Sequence, residues 1–102
     1  MALKAFKAGE SERVTEAYLV KSVRKLGGLC LKFTSPQNKG VPDRLCLLPG
    51  GLIFFVEVKS EGIKPSSLQL AAHSAIEACG FKVFVVDTKT KVDKLMEEAA
   101  ND

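Results

Sequence analysis

GVPDRLCLLPGGLIFFVEVKS, residues 40–60, is the stretch that decides the fold of this chain. It contains two apolar segments, residues 44–48 and 52–59, on either side of Pro49-Gly50-Gly51. Because glycines after a proline favour a tight turn, the pattern predicts two antiparallel strands joined as a hairpin. The second segment is apolar at odd and even positions, which is typical of a central strand covered on both faces.

The second predicted strand carries two charged residues near its end. Side chains alternate between the faces of a strand, so Glu57 and Lys59 share a face with Ile53 and Phe55. The ordinary interpretation is an exposed cross-strand charge pair, but the apolar neighbours on both faces argue against it. Asp43 precedes the first strand, where a single acid usually hydrogen-bonds to nearby backbone. Two carboxylates together can hold a hard cation such as Mg²⁺, and a lysine beside them can stabilise developing charge.

Helix and strand signals on both sides of the hairpin predict the order α-β-β-β-α-β-α. Gly27-Gly28 ends a first helix, and Ser66 or Ser67 caps a second one. A hairpin followed by a strand that is reached through a helix predicts an α/β fold, with helices on the faces of a mixed four-stranded sheet. The predicted elements are helices over residues 10–26, 66–79 and 90–99 and strands over residues 29–33, 44–48, 52–59 and 81–86.

The composition is that of one small folded domain. The chain has 102 residues, of which 46% are hydrophobic and 26% charged, as expected for a globular protein. Residues 1–9 lack a clear pattern and are predicted to be a flexible leader to a domain over residues 10–102. No apolar run approaches the roughly 20 residues that span a bilayer, so we expect an intracellular protein without membrane association.

The charge balance is only weakly informative. Lys and Arg exceed Asp and Glu by 15 − 12 = 3, and this excess does not by itself predict nucleic-acid binding. If several acids surround a cation, the rest of the surface is more positive than the total, which suits a polyphosphate partner.

The three cysteines, Cys30, Cys46 and Cys79, lie among apolar neighbours. Their spacing matches neither a zinc site nor a disulfide framework. We therefore predict that they are reduced core residues.

The first predicted helix offers two acids for a site. Glu16 shares a helix face with Leu19, Val23 and Leu26, and an acid on a core-facing stripe is costly unless it is paired. Glu12 lies one turn earlier on the same face and competes with it. A solvated position at the edge of the stripe is the ordinary alternative for Glu16.

The helix after Lys59 carries Gln69 and His73 one turn apart. An amide at Gln69 could orient water or contact a phosphate, and a solvated helix face is an equally good interpretation. For His73 the solvated interpretation is better, because a single histidine without a partner at ligand spacing does not predict a transition-metal site.

Taken in their order along the chain, these motifs and elements resemble the PD-(D/E)xK nuclease superfamily and, within it, the VRR-NUC domain. An Asp…Glu-x-Lys pattern alone arises by chance in many charged strands, but the ordered combination is much more specific. The resemblance covers roughly residues 12–95 and is carried by Gly40-Val41-Pro42-Asp43-Arg44, Glu57-Val58-Lys59, Glu16, Gly27-Gly28, Gln69 and Gly80.

The resemblance implies a restriction-endonuclease-like core and a Mg²⁺- or Mn²⁺-dependent endodeoxyribonuclease. It assigns the metal ligands to Asp43, Glu57, the backbone carbonyl of Val58 and Glu16. Lys59 and Gln69 complete the implied catalytic set, with Lys59 positioning or activating the attacking water.

The resemblance also implies a partner and a setting. Stand-alone members of viral or bacterial type resemble Holliday-junction resolvases, so the expected substrate is branched DNA, the expected assembly a homodimer and the expected location the bacterial cytoplasm. From their residue types, the residues that flank the loop leading into Asp43 are expected to contact phosphates, namely Lys32, Ser35, Lys39 and Arg44. An ordinary solubilising charge is an equally good interpretation of Lys39. A flap, single-strand or restriction-type nuclease and a non-catalytic DNA-binding protein are the alternatives.

Overall fold

The structure, a computed structural model, describes residues 9–101. The predicted leader therefore lies outside the described residues, apart from its last position. The predicted order of elements and the α/β class are confirmed. The elements are α1 Glu12–Lys25, β1 Leu29–Lys32, β2 Arg44–Leu48, β3 Leu52–Val58, α2 Ser67–Ala78, β4 Lys82–Val86 and α3 Lys89–Ala100.

The four strands form one mixed sheet in the order β1-β2-β3-β4. The pairs β1/β2 and β2/β3 are antiparallel, and β3/β4 is parallel. The turn at Pro49-Gly50-Gly51 fixes the hairpin register, in which Arg44 pairs with Val56 and Leu48 with Leu52. This register brings the start of β2 beside the end of β3, where the candidate acids lie.

The hydrophobic core lies on one face of the sheet, beneath α1 and α3. Even-numbered strand residues point to this face, as strand alternation requires. Leu26, which was predicted to share the core stripe of α1, is 38% exposed because the helix ends at Lys25 and Gly27 turns the chain away with φ +84°. The buried core residues are Leu19, Val23, Cys46, Leu48, Phe54, Val56, Val58, Val86, Val92 and Leu95.

The opposite face of the sheet is only partly covered. Helix α2 lies over the β3–β4 half, where it contacts β4. On the β1–β2 half, apolar side chains stay open to solvent, with Leu29 56% and Leu31 42% exposed, and Ile53 of β3 is 39% exposed. We call these three residues, with their half-buried neighbours Leu45 and Leu47, the open sheet face.

The cysteines are free thiols, as predicted, but they are not all core residues. Cys30 and Cys46 are cross-strand partners in β1 and β2, and their Sγ atoms are 3.8 Å apart. Cys79 is exposed because it follows α2 as its C-cap, so the prediction of a core position is wrong there. Among residues 9–101, no helix has the length and apolar character needed to cross a membrane.

Candidate active site

The hairpin register places Asp43 beside the end of β3. Asp43 immediately precedes β2, and its Oδ2 accepts a hydrogen bond of 2.9 Å from the backbone N–H of Val58. The alternative of a local turn residue predicted a bond to nearby backbone, whereas this bond crosses 15 positions of sequence. Asp43 is therefore tied to the strand that carries Glu57.

The loop before Asp43 packs closely against α2. Gly40 has φ +89°, and a Cβ atom at this position would lie 2.8 Å from the carbonyl oxygen of Leu68. Only glycine tolerates both this conformation and this approach. Pro42 is fully buried beside Asp43. The sequence from Gly40 to Asp43 therefore holds the carboxylate of Asp43 in a fixed place relative to α2.

Glu57 is a buried acid, with 2% of its side chain exposed. Alternation along β3 directs it away from the core and toward α2. Burial raises the pKa of Glu57 to about 7, and the negative charge of Asp43 adds to this effect while Lys59 opposes it. Its Oε1 atom has no hydrogen-bond partner among the described residues. A buried carboxylate with an open oxygen is an unusual and costly feature.

Lys59 lies beside Glu57 as strand alternation predicts. Its Nζ is 3.5 Å from Glu57 Oε2, and 17% of its side chain is exposed. The ammonium group therefore stands at the surface end of the pair, where it can meet a ligand that approaches from solvent.

Gln69 joins the start of α2 to Glu57. Ser66 caps the helix, accepting a hydrogen bond from the Gln69 N–H, while Gln69 Oε1 accepts one from the Ser66 N–H. The amide end that is left, Nε2, donates to Glu57 Oε2 at 2.9 Å. Of the two interpretations open for Gln69, the structure therefore supports contact with the site.

Glu16 is engaged by two basic side chains of the sheet. Its Oε2 accepts hydrogen bonds from Arg44 Nε at 2.8 Å and from Lys32 Nζ at 3.2 Å. Burial alone would raise the pKa of Glu16, but Arg44 and Lys32 together outweigh burial and lower it. Arg44 also donates a hydrogen bond to the Cys30 carbonyl oxygen, and it therefore connects α1 to the β1–β2 ladder.

Glu12, the competing acid, is the first residue of α1, one turn before Glu16. It is exposed, and its negative charge is among those that raise the pKa of Glu57. The sequence left the choice between the two acids open. Glu16 is held by two cations of the neighbouring strands, and the choice between the two acids stays a prediction.

The remaining predicted phosphate contacts lie along the loop before Asp43. Ser35 and Lys39 line a cavity of about 460 Å³ between this loop and α2, with Phe33 and Phe55 on the sheet side. Ser35 Oγ accepts a hydrogen bond from Asn38. Lys32 has 66% of its side chain exposed although it contacts Glu16.

His73 is a site residue for which sequence reasoning favoured a solvated position. It is buried, and its Nε2 lies 3.9 Å from Glu57 Oε1. Its spacing of one helical turn from Gln69 was the available signal. That signal did not reveal that this face of α2 would cover a buried acid.

The oxygen donors of the site form a small set. Within residues 9–101, no three His, Cys, Asp or Glu side chains gather closely enough to hold a metal ion. Mg²⁺ requires fewer, since it commonly binds one or two carboxylates and keeps water and phosphate in its other positions. Asp43, Glu57 with its open Oε1, and the carbonyl of Val58 provide hard oxygen donors of that kind.

Comparison with solved structures identifies the family. A chain described as a VRR_NUC domain superposes with a TM-score of 0.81 at 39% sequence identity, covering 86% of this chain and 96% of that one. The chain belongs to the VRR-NUC family. The resemblance inferred from the ordered motifs is thereby confirmed.

A curated relative extends the VRR-NUC assignment. The protein named "Putative nuclease p44", from Acyrthosiphon pisum secondary endosymbiont phage 1, is 50% identical over 74 residues, which are 72% of this chain and 80% of the relative. No protein-family model matches the chain. The VRR-NUC fold and the name of the phage relative together support a nuclease.

Proposed function

We propose that this VRR-NUC protein is a metal-dependent endodeoxyribonuclease that hydrolyses phosphodiesters of branched DNA, with the four-way junction as its favoured substrate. The observation that carries the proposal is the buried carboxylate of Glu57, which has an open oxygen and stands with Asp43 and Lys59. A fold does not keep a buried acid at the end of an apolar strand for stability, so a functional reason is the better explanation.

The donor set suits Mg²⁺ or Mn²⁺. The carboxylates of Asp43 and Glu57 and the carbonyl of Val58 would hold the cation, and Glu12 stands near enough to influence the same charge. A divalent cation in this place supplies a water of lowered pKa and neutralises charge on phosphate oxygens. Glu16, the helix acid that the family resemblance implied, supports the site through Arg44 in this proposal.

The side chains around the acids have separate roles. Lys59, at the surface end, positions the attacking water or stabilises the charge that develops on the phosphate. Gln69 holds Oε2 of Glu57 and so orients the carboxylate. Lys32, Ser35, Lys39 and Arg44 flank Asp43 and contact phosphates along the backbone, which would position DNA without reading its sequence.

A homodimer is the proposed assembly. Monomeric proteins rarely expose contiguous apolar patches of more than a few hundred Å², and the open sheet face carries no charged side chain. A second copy is the occupant that such a self-complementary surface fits, since a two-fold axis pairs one patch with itself. Glu57 points to the same side of the sheet, so pairing would present two active sites to the two-fold symmetry of a junction.

The first experiment tests the metal site. Asp43→Asn and Glu57→Gln keep the shape of each side chain but remove a ligand charge, so DNA cleavage should fall more than about a hundredfold, beyond the loss typical of residues that only support a ligand. Mn²⁺ binding measured by calorimetry should weaken in parallel, while DNA binding should be kept. Lys59→Ala should retain Mn²⁺ binding and lose turnover.

Glu97→Gln, an exposed acid of α3, is the matched control. Full cleavage by either Asp43→Asn or Glu57→Gln would overturn the assigned site.

A panel of labelled junction, flap, duplex and single-stranded DNAs distinguishes the substrates. Preferred cutting of flaps or single strands would support the alternative nucleases, and DNA binding without cleavage in any divalent metal would support a non-catalytic protein. The phage relative favours the bacterial cytoplasm as the place of action.

A further inference from the structure

His73 is the only buried residue of α2, and it is buried against the site. Its side chain is 7% exposed, and its Nε2 faces Glu57 Oε1 across 3.9 Å. Gln69, one turn earlier, already donates to the other oxygen of Glu57. Two successive turns of α2 therefore place one polar side chain beside each oxygen of the Glu57 carboxylate.

The two facing atoms both lack partners. Only three buried side-chain N or O atoms are without a hydrogen bond in the part of the chain that the structure describes, and Glu57 Oε1 and His73 Nε2 are two of them. Buried polar groups of native proteins are normally hydrogen-bonded. A separation of 3.9 Å is too long for a hydrogen bond, but a shift of about 1 Å, or one water between the atoms, closes it.

The chemistry of the pair is complementary. An imidazole offers an N–H donor, and a carboxylate oxygen has two lone pairs, so the oxygen can accept a hydrogen bond and still bind a cation. Residues that hold a metal ligand in this way fix its rotation, and their loss typically weakens metal affinity.

We propose that His73 is a positioning residue for Glu57, donating a hydrogen bond to Oε1 so that, with Gln69 on Oε2, the carboxylate is held in the orientation that binds the cation. This inference rests on the proposed function, since it assumes that Glu57 is a metal ligand. His73 itself does not touch the substrate or the reacting atoms in this proposal.

The test compares His73→Leu with His73→Gln. Leucine keeps apolar bulk without a donor, and glutamine places an N–H close to the position of Nε2. Calorimetry with Mn²⁺ and no DNA should show affinity about tenfold weaker or more for His73→Leu and close to wild type for His73→Gln. Ser74→Ala, the exposed next residue of α2, should behave as wild type.

Two further measurements separate positioning from a structural role. In this proposal the hydrogen bond forms when the cation is bound, whereas without it Nε2 and Oε1 stay 3.9 Å apart. Thermal unfolding in EDTA should therefore show His73→Leu at least as stable as wild type, because the variant removes a nitrogen that is buried and unpartnered in the metal-free protein. In cleavage assays, the Mn²⁺ concentration at half-maximal rate should rise about tenfold with His73→Leu, with little change in KM for DNA. A merely structural histidine would instead lower stability together with affinity.

The outcomes are distinct. Unchanged Mn²⁺ affinity in His73→Leu would overturn the inference and leave the proposed function intact. Equal weakening in both variants would overturn the donor role. Wild-type protein that binds no Mn²⁺ and cuts no DNA would overturn the proposed function, and the inference with it.

Discussion

Glu57 shows how a strand can be apolar and still carry a site. Its neighbours Val56 and Val58 point to the core beneath α1 and α3, whereas Glu57 points to the other face and meets Gln69 and His73. Burial leaves Oε1 of Glu57 without a hydrogen-bond partner. The same burial raises the free energy of the ionised carboxylate in the metal-free protein.

This burial predicts an unusual pH dependence of stability. The pKa of Glu57 is raised to about 7, so between pH of about 4.3 and 7 the folded state binds more protons than the unfolded state. The free energy of unfolding should therefore fall as pH rises through this window, by at most about 4 kcal/mol. Chemical denaturation in EDTA at about pH 5 and about pH 8 measures the change.

Glu57→Gln is the control for that measurement. Glutamine does not titrate, so the variant should lose this fall and gain relative stability at the higher pH. His73, whose pKa burial lowers, changes stability in the opposite direction, but it is present in both proteins. Parallel curves for wild type and variant would contradict the raised pKa.

The two helix acids make a second prediction at this scale. Glu16→Gln leaves the largely buried Arg44 without its charged partner, so we expect the free energy of unfolding to fall by about 1–3 kcal/mol with little change in Mn²⁺ affinity. Glu12→Gln should leave stability unchanged and weaken Mn²⁺ binding. Denaturation and calorimetry on both variants check this, and a greater loss of Mn²⁺ affinity in Glu16→Gln would restore the role that the family resemblance implied.

At the scale of elements, α2 is the part that completes the site. Its capping box uses the side chain of Gln69 on both sides, toward Ser66 and toward Glu57. The same side chain therefore caps the start of α2 and orients the carboxylate of Glu57. Gly40 also holds the loop before Asp43 against the start of α2, because it packs closely on the Leu68 backbone.

Ser66→Ala should therefore affect both stability and metal binding. Loss of the cap should cost about 1 kcal/mol, which lowers Tm by about 4–8 °C in a domain of this size. The freed Gln69 should also hold Glu57 less well and weaken Mn²⁺ affinity. Ser66→Asp, another good N-cap residue, should keep the stability. Thr88→Ala, which removes the cap of α3, is the matched control, and it should lower Tm without changing Mn²⁺ affinity.

At the scale of the whole molecule, the open sheet face decides the proposed assembly. A domain of 102 residues buries limited apolar surface alone, and no helix within residues 9–101 covers one half of this sheet face. Stable interfaces bury about 800 Å² from each partner, so a dimer would bury surface around the open sheet face as well.

Leu31→Glu should disrupt the dimer, because the substitution puts a charge into the apolar patch at one of its exposed residues. Light scattering should report about twice the 11.0 kDa chain mass for wild type and a single mass for the variant. The variant should also lose paired incision of junctions while retaining single nicks. Val14→Glu, at a residue of α1 that is 47% exposed on the other side of the sheet, is the control. A monomeric wild type at micromolar concentration would contradict the dimer.

The elements and their order could be predicted from the sequence because the signals are local. Turn residues at Pro49-Gly50-Gly51, apolar strands and helix caps act within a few positions, and element ends differ from prediction by one or two residues. The prediction that Glu57 and Lys59 share a face rested on a local fact, strand alternation, whereas their association with Asp43 was implied by the family resemblance and not by a local signal.

The partners of charged and polar side chains were decided by tertiary structure. Glu16 pairs with Arg44 of β2 and Lys32 of β1, because α1 packs against β1 with that side. Periodicity places an acid on a helix face but does not say which cation the packed sheet brings to it. In the same way, only the packing of α2 over β3 buries His73 against Glu57. Leu29 and Leu31 are exposed because none of the described helices covers β1 and β2 on that face.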